Sequence, residues 1–123
     1  MTRAVDLRSF LPLSPIAFQV LLALTDGPRH GYGVIQEIDT RTRGEMRLRT
    51  GTLYLLLQRL VADGLVEPVR PSKNLLGAPG RTPGSPRRYY DILPLGRAVL
   101  SADTRRQQAA VADARAKRVL GRA

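Results

Sequence analysis

Apolar residues recur at helical spacing in two stretches near the start of the chain. The first follows Ser14-Pro15, a hydroxyl N-cap with proline at the first helical position, and predicts a helix over about residues 15–25. The second opens at His30-Gly31-Tyr32-Gly33 and continues to Arg41. Asp26-Gly27-Pro28 separates the two stretches, so the pattern predicts two consecutive helices, of which the second is short and amphipathic.

A stripe of leucines predicts a third helix. Thr50 is a candidate N-cap, and Gly64 stands where glycine commonly ends a helix. The leucines between them recur at i, i+3, i+4 and i+7, which places them on one core-facing side; they are Leu53, Leu56, Leu57 and Leu60. The opposite side carries polar, aromatic and basic groups that suit contact with a partner, namely Thr52, Tyr54, Leu55, Gln58 and Arg59.

Two β-prone segments follow, at residues 65–69 and 88–93. We expect them to pair as an antiparallel hairpin, with the first at the sheet edge because Pro68 cannot donate a ladder hydrogen bond. The residues between them, 70–87, are rich in proline and glycine, contain no acidic residue and predict a loop without regular structure. Tyr89 and Tyr90 alternate across the second strand, so we expect one to be packed inward and only the other to be free for DNA or an effector.

The chain from Pro94 onward predicts one long helix, because it contains no further proline and is rich in alanine, arginine and glutamine. Residues spaced alternately by three and four form a thin heptad seam, in which Arg105 is also set. The seam residues that we expect to form a dimer interface are Leu95, Ala98, Ala102, Ala109, Ala112, Ala116 and Val119.

Charge and composition narrow the class of partner. Twenty Lys and Arg against ten Asp and Glu give a formal net charge of +10, which favours a polyanion. With no cysteine and with His30 as its single histidine, the sequence offers no set of metal ligands. It shows no glycine-rich phosphate loop, nucleophile elbow or paired carboxylate motif, so we expect neither enzyme activity nor a cofactor. The apolar runs are far shorter than the ~20 residues that span a bilayer, and we expect a cytoplasmic, nucleoid-associated protein with no membrane contact.

Three helices followed by a β-hairpin are the arrangement of a winged helix-turn-helix domain. The expected fold is mainly α with a small β-hairpin: a winged helix-turn-helix domain over residues 1–93 and a dimerisation helix over residues 94–123. In this fold the third helix enters the major groove of double-stranded DNA, where Arg59 can bind guanine and Gln58 can bind adenine. The predicted DNA-contacting residues are Arg49, Thr50, Thr52, Tyr54, Gln58, Arg59, His30, Tyr32, Arg81, Arg87 and Arg88.

Several of these residues have a competing explanation. Tyr54 either contacts DNA or packs against the second helix. His30 fits a turn residue or a phosphate donor at a helix N-terminus better than a metal ligand or a base. The arginines of the loop are solvated by default, but the lack of acidic neighbours favours phosphate contact for at least one of Arg81, Arg87 and Arg88.

Three ordered motifs resemble those of PadR-type transcriptional regulators. They are Pro28-Arg29-His30-Gly31-Tyr32-Gly33, then Arg49-Thr50-Gly51-Thr52-Leu53-Tyr54 with Leu57, Arg59-Leu60 and Gly64-Leu65-Val66, and then Arg88-Tyr89-Tyr90 running to Leu95-Gly96. The resemblance covers about residues 14–100 and implies a dimeric repressor of bacterial promoters, in the short branch with a single C-terminal helix. The sequence departs from the family pattern at Leu55, where proline is usual, at Val61, where an acidic residue is common, and at Leu93-Pro94, where a Thr-Glu-like pair is normal.

Two functions from different classes remain open at this point. The first is a homodimeric, sequence-specific repressor that binds a pseudo-palindromic operator near its own or neighbouring genes and is released by a small-molecule effector. The second is a general nucleic-acid-binding protein, nucleoid-like or RNA-associated, held by the +10 charge alone. Sequence-independent affinity with a steep loss at high salt would distinguish the second from the first.

Overall fold

The computed structural model describes residues 6–70 and 88–121, and it is mainly helical with a small antiparallel sheet. A short 3-10 helix, Leu7–Phe10, precedes the regular elements. In chain order these are α1 (Pro15–Ala23), β1 (Arg29–His30), α2 (Gly31–Arg41), α3 (Thr50–Ala62), β2 (Val66–Val69), β3 (Tyr89–Ile92) and α4 (Pro94–Ala116). This order of three helices and a β2–β3 pair confirms the winged helix fold expected from the sequence.

Side-chain caps start the first two helices. The Ser14 hydroxyl accepts a hydrogen bond from the backbone N–H of Ala17 at 3.1 Å, which confirms the predicted cap of α1. The imidazole Nδ1 of His30 accepts from the backbone N–H of Gly33 at 2.9 Å and caps α2 in the same way. The lone histidine is therefore a helix cap, in agreement with its expected place at a helix N-terminus.

The start of α3 differs from the prediction, whereas its end agrees. Thr50 is already helical, the N-cap is Arg49, and no side chain caps the helix, so the prediction of a Thr50 cap was wrong by one residue. The reason is that Leu53 N–H donates to the Arg49 carbonyl at 3.0 Å, which starts the helical bonds one residue earlier. At the other end Gly64 has a φ of 78°, and Leu65 N–H donates to the Leu60 carbonyl at 3.0 Å. These two features are those of a glycine-terminated Schellman motif.

The sheet has three strands in the order β1-β3-β2. The predicted pairing of β2 with β3 is antiparallel, and β2, which contains Pro68, is an edge strand as expected. The sequence did not predict β1, because two residues are too few to show alternation. Pairing of Arg29 with Tyr90 and of His30 with Tyr89 makes β3 the central strand.

The central position of β3 explains why both of its tyrosines are buried. Tyr89 is 4% exposed and Tyr90 is 6% exposed, so the expectation that one of them would be free for contact with DNA or an effector was wrong. The His30 ring meets Tyr89 edge-on with centroids 5.4 Å apart, and the Tyr54 ring lies 6.4 Å from Tyr90. Each face of the strand is thus covered by an aromatic side chain from another element.

The core lies between the sheet and the three helices of the winged domain. The predicted leucine stripe of α3 belongs to it: Leu53 and Leu57 are fully buried, Leu60 nearly so, and Leu56 packs at its margin. The largest fully buried side chains around the stripe come from α1, α2 and the segment after α3; they are Val20, Leu21, Leu24, Val34, Ile38, Leu65 and Val66.

The first half of α4 packs against this core. Gly96 lies so close to the Leu65 carbonyl that a Cβ at this position would be 2.2 Å from the oxygen. Val99 and Leu100 are buried one turn later. The helix ends at Ala116, so Val119 lies beyond it, contrary to the prediction that the helix and its seam continue through that residue.

A buried carboxylate attaches the N-terminal segment to α4. Asp103 is fully buried and accepts hydrogen bonds from Arg106 Nε at 2.8 Å, Gln107 Nε2 at 2.9 Å and the Leu13 backbone N–H at 3.3 Å. Burial alone would raise the pKa of Asp103, but these three donors and the Arg106 charge outweigh it and hold the pKa below its ordinary value.

Candidate DNA-binding surface

The exposed side of α3 is the first part of the candidate surface. Its inward leucines fix the rotation of the helix, so the polar groups face outward. Most of the residues that the sequence assigns to DNA contact on this helix are exposed: Arg49, Thr50, Thr52, Gln58 and Arg59. The helix contains no acidic residue over its whole length, Thr50–Ala62. This side of α3 can therefore approach a polyanion without charge repulsion.

Tyr54 differs from its neighbours because it is half-buried. Its hydroxyl and Cζ lie 2.5 Å and 2.8 Å from the place where a Cβ on Gly31 would stand, and its ring tilts against Tyr90. Tyr54 thus packs α3 against the start of α2 and against β3. Tyr54 lies beside the other candidate residues of α3, and it is held there by these contacts. Its contact with DNA stays a prediction.

The N-terminus of α2 is the second part of the surface. Tyr32 is 58% exposed in the first turn, and its ring is nearly parallel to that of His30 with centroids 6.4 Å apart. Since Nδ1 of His30 accepts the capping bond, the ring proton of the neutral tautomer is on Nε2, which points to Nε2 as the donor atom of this imidazole.

The hairpin of β2 and β3 is the wing of this fold. The sheet register places the base of the wing beside the start of α2. His30 pairs with Tyr89, and Tyr89 pairs with Val69 on its other side. The last residue of β1, the first of β3 and the last of β2 therefore lie side by side. The next residues along β2 and β3 are Arg70 and Arg88, and both are exposed. Arg81 and Arg87, the other wing residues predicted to contact DNA, lie outside the described residues.

Ion pairs divide the basic residues into two groups. On α2, Glu37 binds both Arg29 and Arg41 at 2.6 Å and 2.7 Å. Asp39 on the same helix lies 3.4 Å from Arg47 in the turn that follows it. In contrast, within the described part of the chain no ion pair involves Arg49, Arg59, Arg70 or Arg88. Arginines without an acidic partner in the described residues therefore lie on α3, just before it and at the wing base, and also elsewhere, at Arg43 and on α4.

Leu55 also lies on the exposed side of α3, as its place opposite the leucine stripe predicts, although it is not among the predicted DNA-contacting residues. It is 70% exposed at the middle of α3. A signal was available in the sequence, because Leu55 falls on the polar side of the helix and outside the leucine stripe.

Among residues 6–70 and 88–121, no group of three or more His, Asp or Glu side chains could hold a metal ion. No helix in the same part of the chain is long and apolar enough to cross a membrane.

Comparison with known proteins agrees with this geometry. Transcriptional regulator Rv3488 of Mycobacterium tuberculosis is 34% identical over 90 residues, which cover 73% of each chain. A crystal structure of a PadR family regulator from Clostridium difficile superposes with a TM-score of 0.66 at 21% identity, covering 88% of this chain and all of that one. The structure of Bacillus subtilis PadR in complex with operator DNA gives a TM-score of 0.59 at 14% identity, covering 74% of this chain and 47% of that one. The model of the transcriptional regulator PadR-like family matches residues 20–102. The chain belongs to the PadR-like family of transcriptional regulators.

Proposed function

We propose that the protein is a homodimeric, sequence-specific DNA-binding repressor that acts in the cytoplasm on its own or neighbouring genes. The observation that carries this proposal is the acid-free, exposed side of α3, bordered by arginines that have no acidic partner in the described structure. The operator-bound structure of a protein with the same fold, Bacillus subtilis PadR, supports it.

In the proposed complex α3 lies in the major groove. Arg59 donates both guanidinium N–H groups to guanine O6 and N7, and Gln58 pairs with adenine N6 and N7. Thr50 and Thr52 in the first turn of the helix bind phosphate oxygens, where the helix dipole also favours negative charge. Arg88 at the wing base and Tyr32 on α2 bind the DNA backbone on either side of the groove.

The proposed dimer uses the seam of α4. The residues that α4 buries against its own chain, including Gly96, Val99 and Leu100, lie on nearly the opposite side of the helix from the seam. Ala98, Ala109, Ala112 and Ala116 are exposed in the monomer and accessible to a second copy, whereas Ala102 is half-buried and Leu95 packs against the core of its own chain. Two copies related by a two-fold axis would read a pseudo-palindromic operator with half-sites about 34 Å apart.

The proposal includes release by a small-molecule effector. A cavity of about 480 Å³ lies between the N-terminal segment and one side of α3, and Phe10, Leu56, Arg59 and Leu60 are among the residues that line it. Because α3 forms one wall, a ligand held there would shift the helix that reads the operator and would lower operator affinity.

The test compares Arg59→Ala with Arg59→Lys in a titration of fluorescent duplexes by anisotropy. Arg59→Ala should lose about 1–3 kcal/mol of operator binding and relax the preference at one base pair. Arg59→Lys keeps the charge but not the two-pronged donor, so it should lose the preference for guanine while its affinity for random DNA stays unchanged. The probes are duplexes from the region upstream of the gene, with random duplexes of equal length as the control. If the wild-type chain bound both sets equally at moderate salt, the protein would be a general nucleic-acid binder instead.

A further inference from the structure

Leu55 is an apolar side chain in the middle of the polar side of α3. It is 70% exposed, and among the described residues only Val119, beyond the end of α4, is a more exposed large hydrophobic residue. Exposure of a single leucine is common on protein surfaces and needs no explanation by itself. Its position at the centre of a helix side otherwise suited to DNA gives it a candidate role.

Small and polar residues surround Leu55 on this helix side. Gly51 and Ala62 lie on the same row of the helix, at i−4 and i+7, and both are small. The space around Gly51 is open, since a Cβ there would meet no atom within 4 Å. The rows on either side carry Thr52, Gln58 and Arg59, all exposed. A partner that approached this side of α3 would meet the leucine methyl groups with hydrogen-bonding groups around them.

These features favour the floor of the major groove over a protein surface as the partner. One leucine surrounded by polar residues is far smaller than the apolar patch that marks a protein interface. Acidic residues are absent from α3, and Arg59, one turn from Leu55, has no acidic partner in the described structure, which suits a polyanion. Among the groups that base edges present in the major groove, the C5-methyl of thymine is the apolar one.

We propose that Leu55 is a specificity-determining residue that recognises a thymine by contact with its C5-methyl group. This inference rests on the proposed function and names a base-reading contact within it. Contact between the leucine methyls and the thymine methyl removes both from water. A cytosine at the same place carries only hydrogen at C5 and would lose this apolar contact, which gives discrimination against that base.

The experiment removes the methyl group of thymine on one side of the contact and the leucine side chain beyond Cβ on the other. Binding sites are first selected from a random duplex pool with the full chain, and each thymine of the selected site is then replaced by deoxyuridine, which keeps base pairing and lacks only the methyl. For the wild-type chain, one symmetric position should lose about fourfold in affinity per half-site, as expected for one methyl-sized apolar group. Leu55→Ala should bind the thymine and deoxyuridine duplexes at that position within twofold of each other.

Leu55→Met provides the matched control, because it keeps an apolar side chain of similar volume at this position. It should retain most of the sensitivity to deoxyuridine. Leu55 is exposed, so all variants should fold, which circular dichroism at equal concentration checks. If deoxyuridine lowered binding equally for the wild-type chain and for Leu55→Ala, the inference would be wrong while the proposed function stood. If the selection returned no preferred sequence, the proposed function itself would be wrong, and the inference with it.

Discussion

At the scale of single residues, two glycines set the distances between elements, because they have no side chain. Gly31 allows the Tyr54 ring to lie directly on the first turn of α2, and Gly96 allows α4 to lie on the Leu65 carbonyl. Both glycines are buried within helices, where glycine is otherwise unfavourable by roughly 0.5–1 kcal/mol relative to alanine. These two glycines therefore contribute to the fold by allowing neighbouring elements to approach closely. At Gly31 this approach brings α3 against the helix N-terminus that carries His30 and Tyr32.

We predict that Gly31→Ala destabilises the fold by about 1–3 kcal/mol, because the added Cβ must displace the Tyr54 ring. Gly51→Ala is the matched control: the same methyl enters open space on an exposed helix turn and should stabilise by ~0.5–1 kcal/mol. The free energy of unfolding in urea measures both.

Tyr54→Phe in the Gly31→Ala background identifies the cause of the loss. It removes the atom nearest to the new Cβ and leaves Cζ, 2.8 Å away, so it should recover part of the loss. An equal effect of the two alanine substitutions would show that the Tyr54 contact does not limit the packing.

At the scale of elements, the sequence predicts those helices and strands whose signals are local. Ser14 and Gly64 mark helix ends through bonds within four or five residues, and the stripe from Leu53 to Leu60 fixes the orientation of α3 without reference to the rest of the chain. β1 depends instead on pairing with β3, some sixty residues away in the sequence. The burial of both Tyr89 and Tyr90 follows from that pairing, and a single strand pattern could not predict it.

In the candidate site, too, some features follow from the local sequence and others depend on contacts between elements. Exposure of Gln58 and Arg59 follows from helix periodicity alone, and the sequence predicted it. The neutralisation of Arg41 by Glu37 and of Arg47 by Asp39 requires knowledge of how α2 and the turn after it are arranged. The packing of Tyr54 against Gly31 likewise depends on two elements that the sequence does not place relative to each other.

The attachment of the N-terminal segment to α4 predicts a pH dependence of stability. Asp103 has a lowered pKa in the folded chain, so its carboxylate stabilises the folded state at pH values above the ordinary aspartate pKa. As the pH falls below the ordinary aspartate pKa of about 3.9, the unfolded chain takes up the proton first, and this contribution is lost progressively. Stability should therefore decrease on acidification in this range.

Asp103→Asn isolates this group from the other carboxylates. At neutral pH it should cost about 1–3 kcal/mol, because it weakens the hydrogen bonds from Arg106, Gln107 and Leu13. The difference in unfolding free energy between the wild-type chain and the variant should shrink as the pH falls from 6 to about 3. A difference that stayed constant over this range would contradict a role for the ionised carboxylate.

At the scale of the whole molecule, the net charge of +10 is divided among regions with different tasks. Part of the basic charge is bound within the fold, as in the pairs that Glu37 and Asp39 make on α2. Another part, at Arg49, Arg59, Arg70 and Arg88, has no acidic partner in the described structure and borders the proposed DNA surface. The second half of α4 holds exposed charges around the alanine seam. The fold thus places the proposed DNA contacts and the proposed dimer contacts on different elements.

The second half of α4 carries most of the proposed dimer interface. A chain that ends at Gln108 keeps the Asp103 cluster and every residue that α4 buries, so it should remain folded, but it lacks the seam from Ala109 onward and should be monomeric. In the full chain, Ala112→Glu places a charge on the seam, whereas Ala110→Glu places the same charge two residues away on another side of the helix. Sedimentation equilibrium should show a weakened dimer for Ala112→Glu and a wild-type dimer for Ala110→Glu. The monomeric variants should also bind an operator whose half-sites are moved about 5 base pairs apart as well as the original, whereas the wild-type dimer should not. A dimer that persisted in the chain ending at Gln108 would place the interface elsewhere in the molecule.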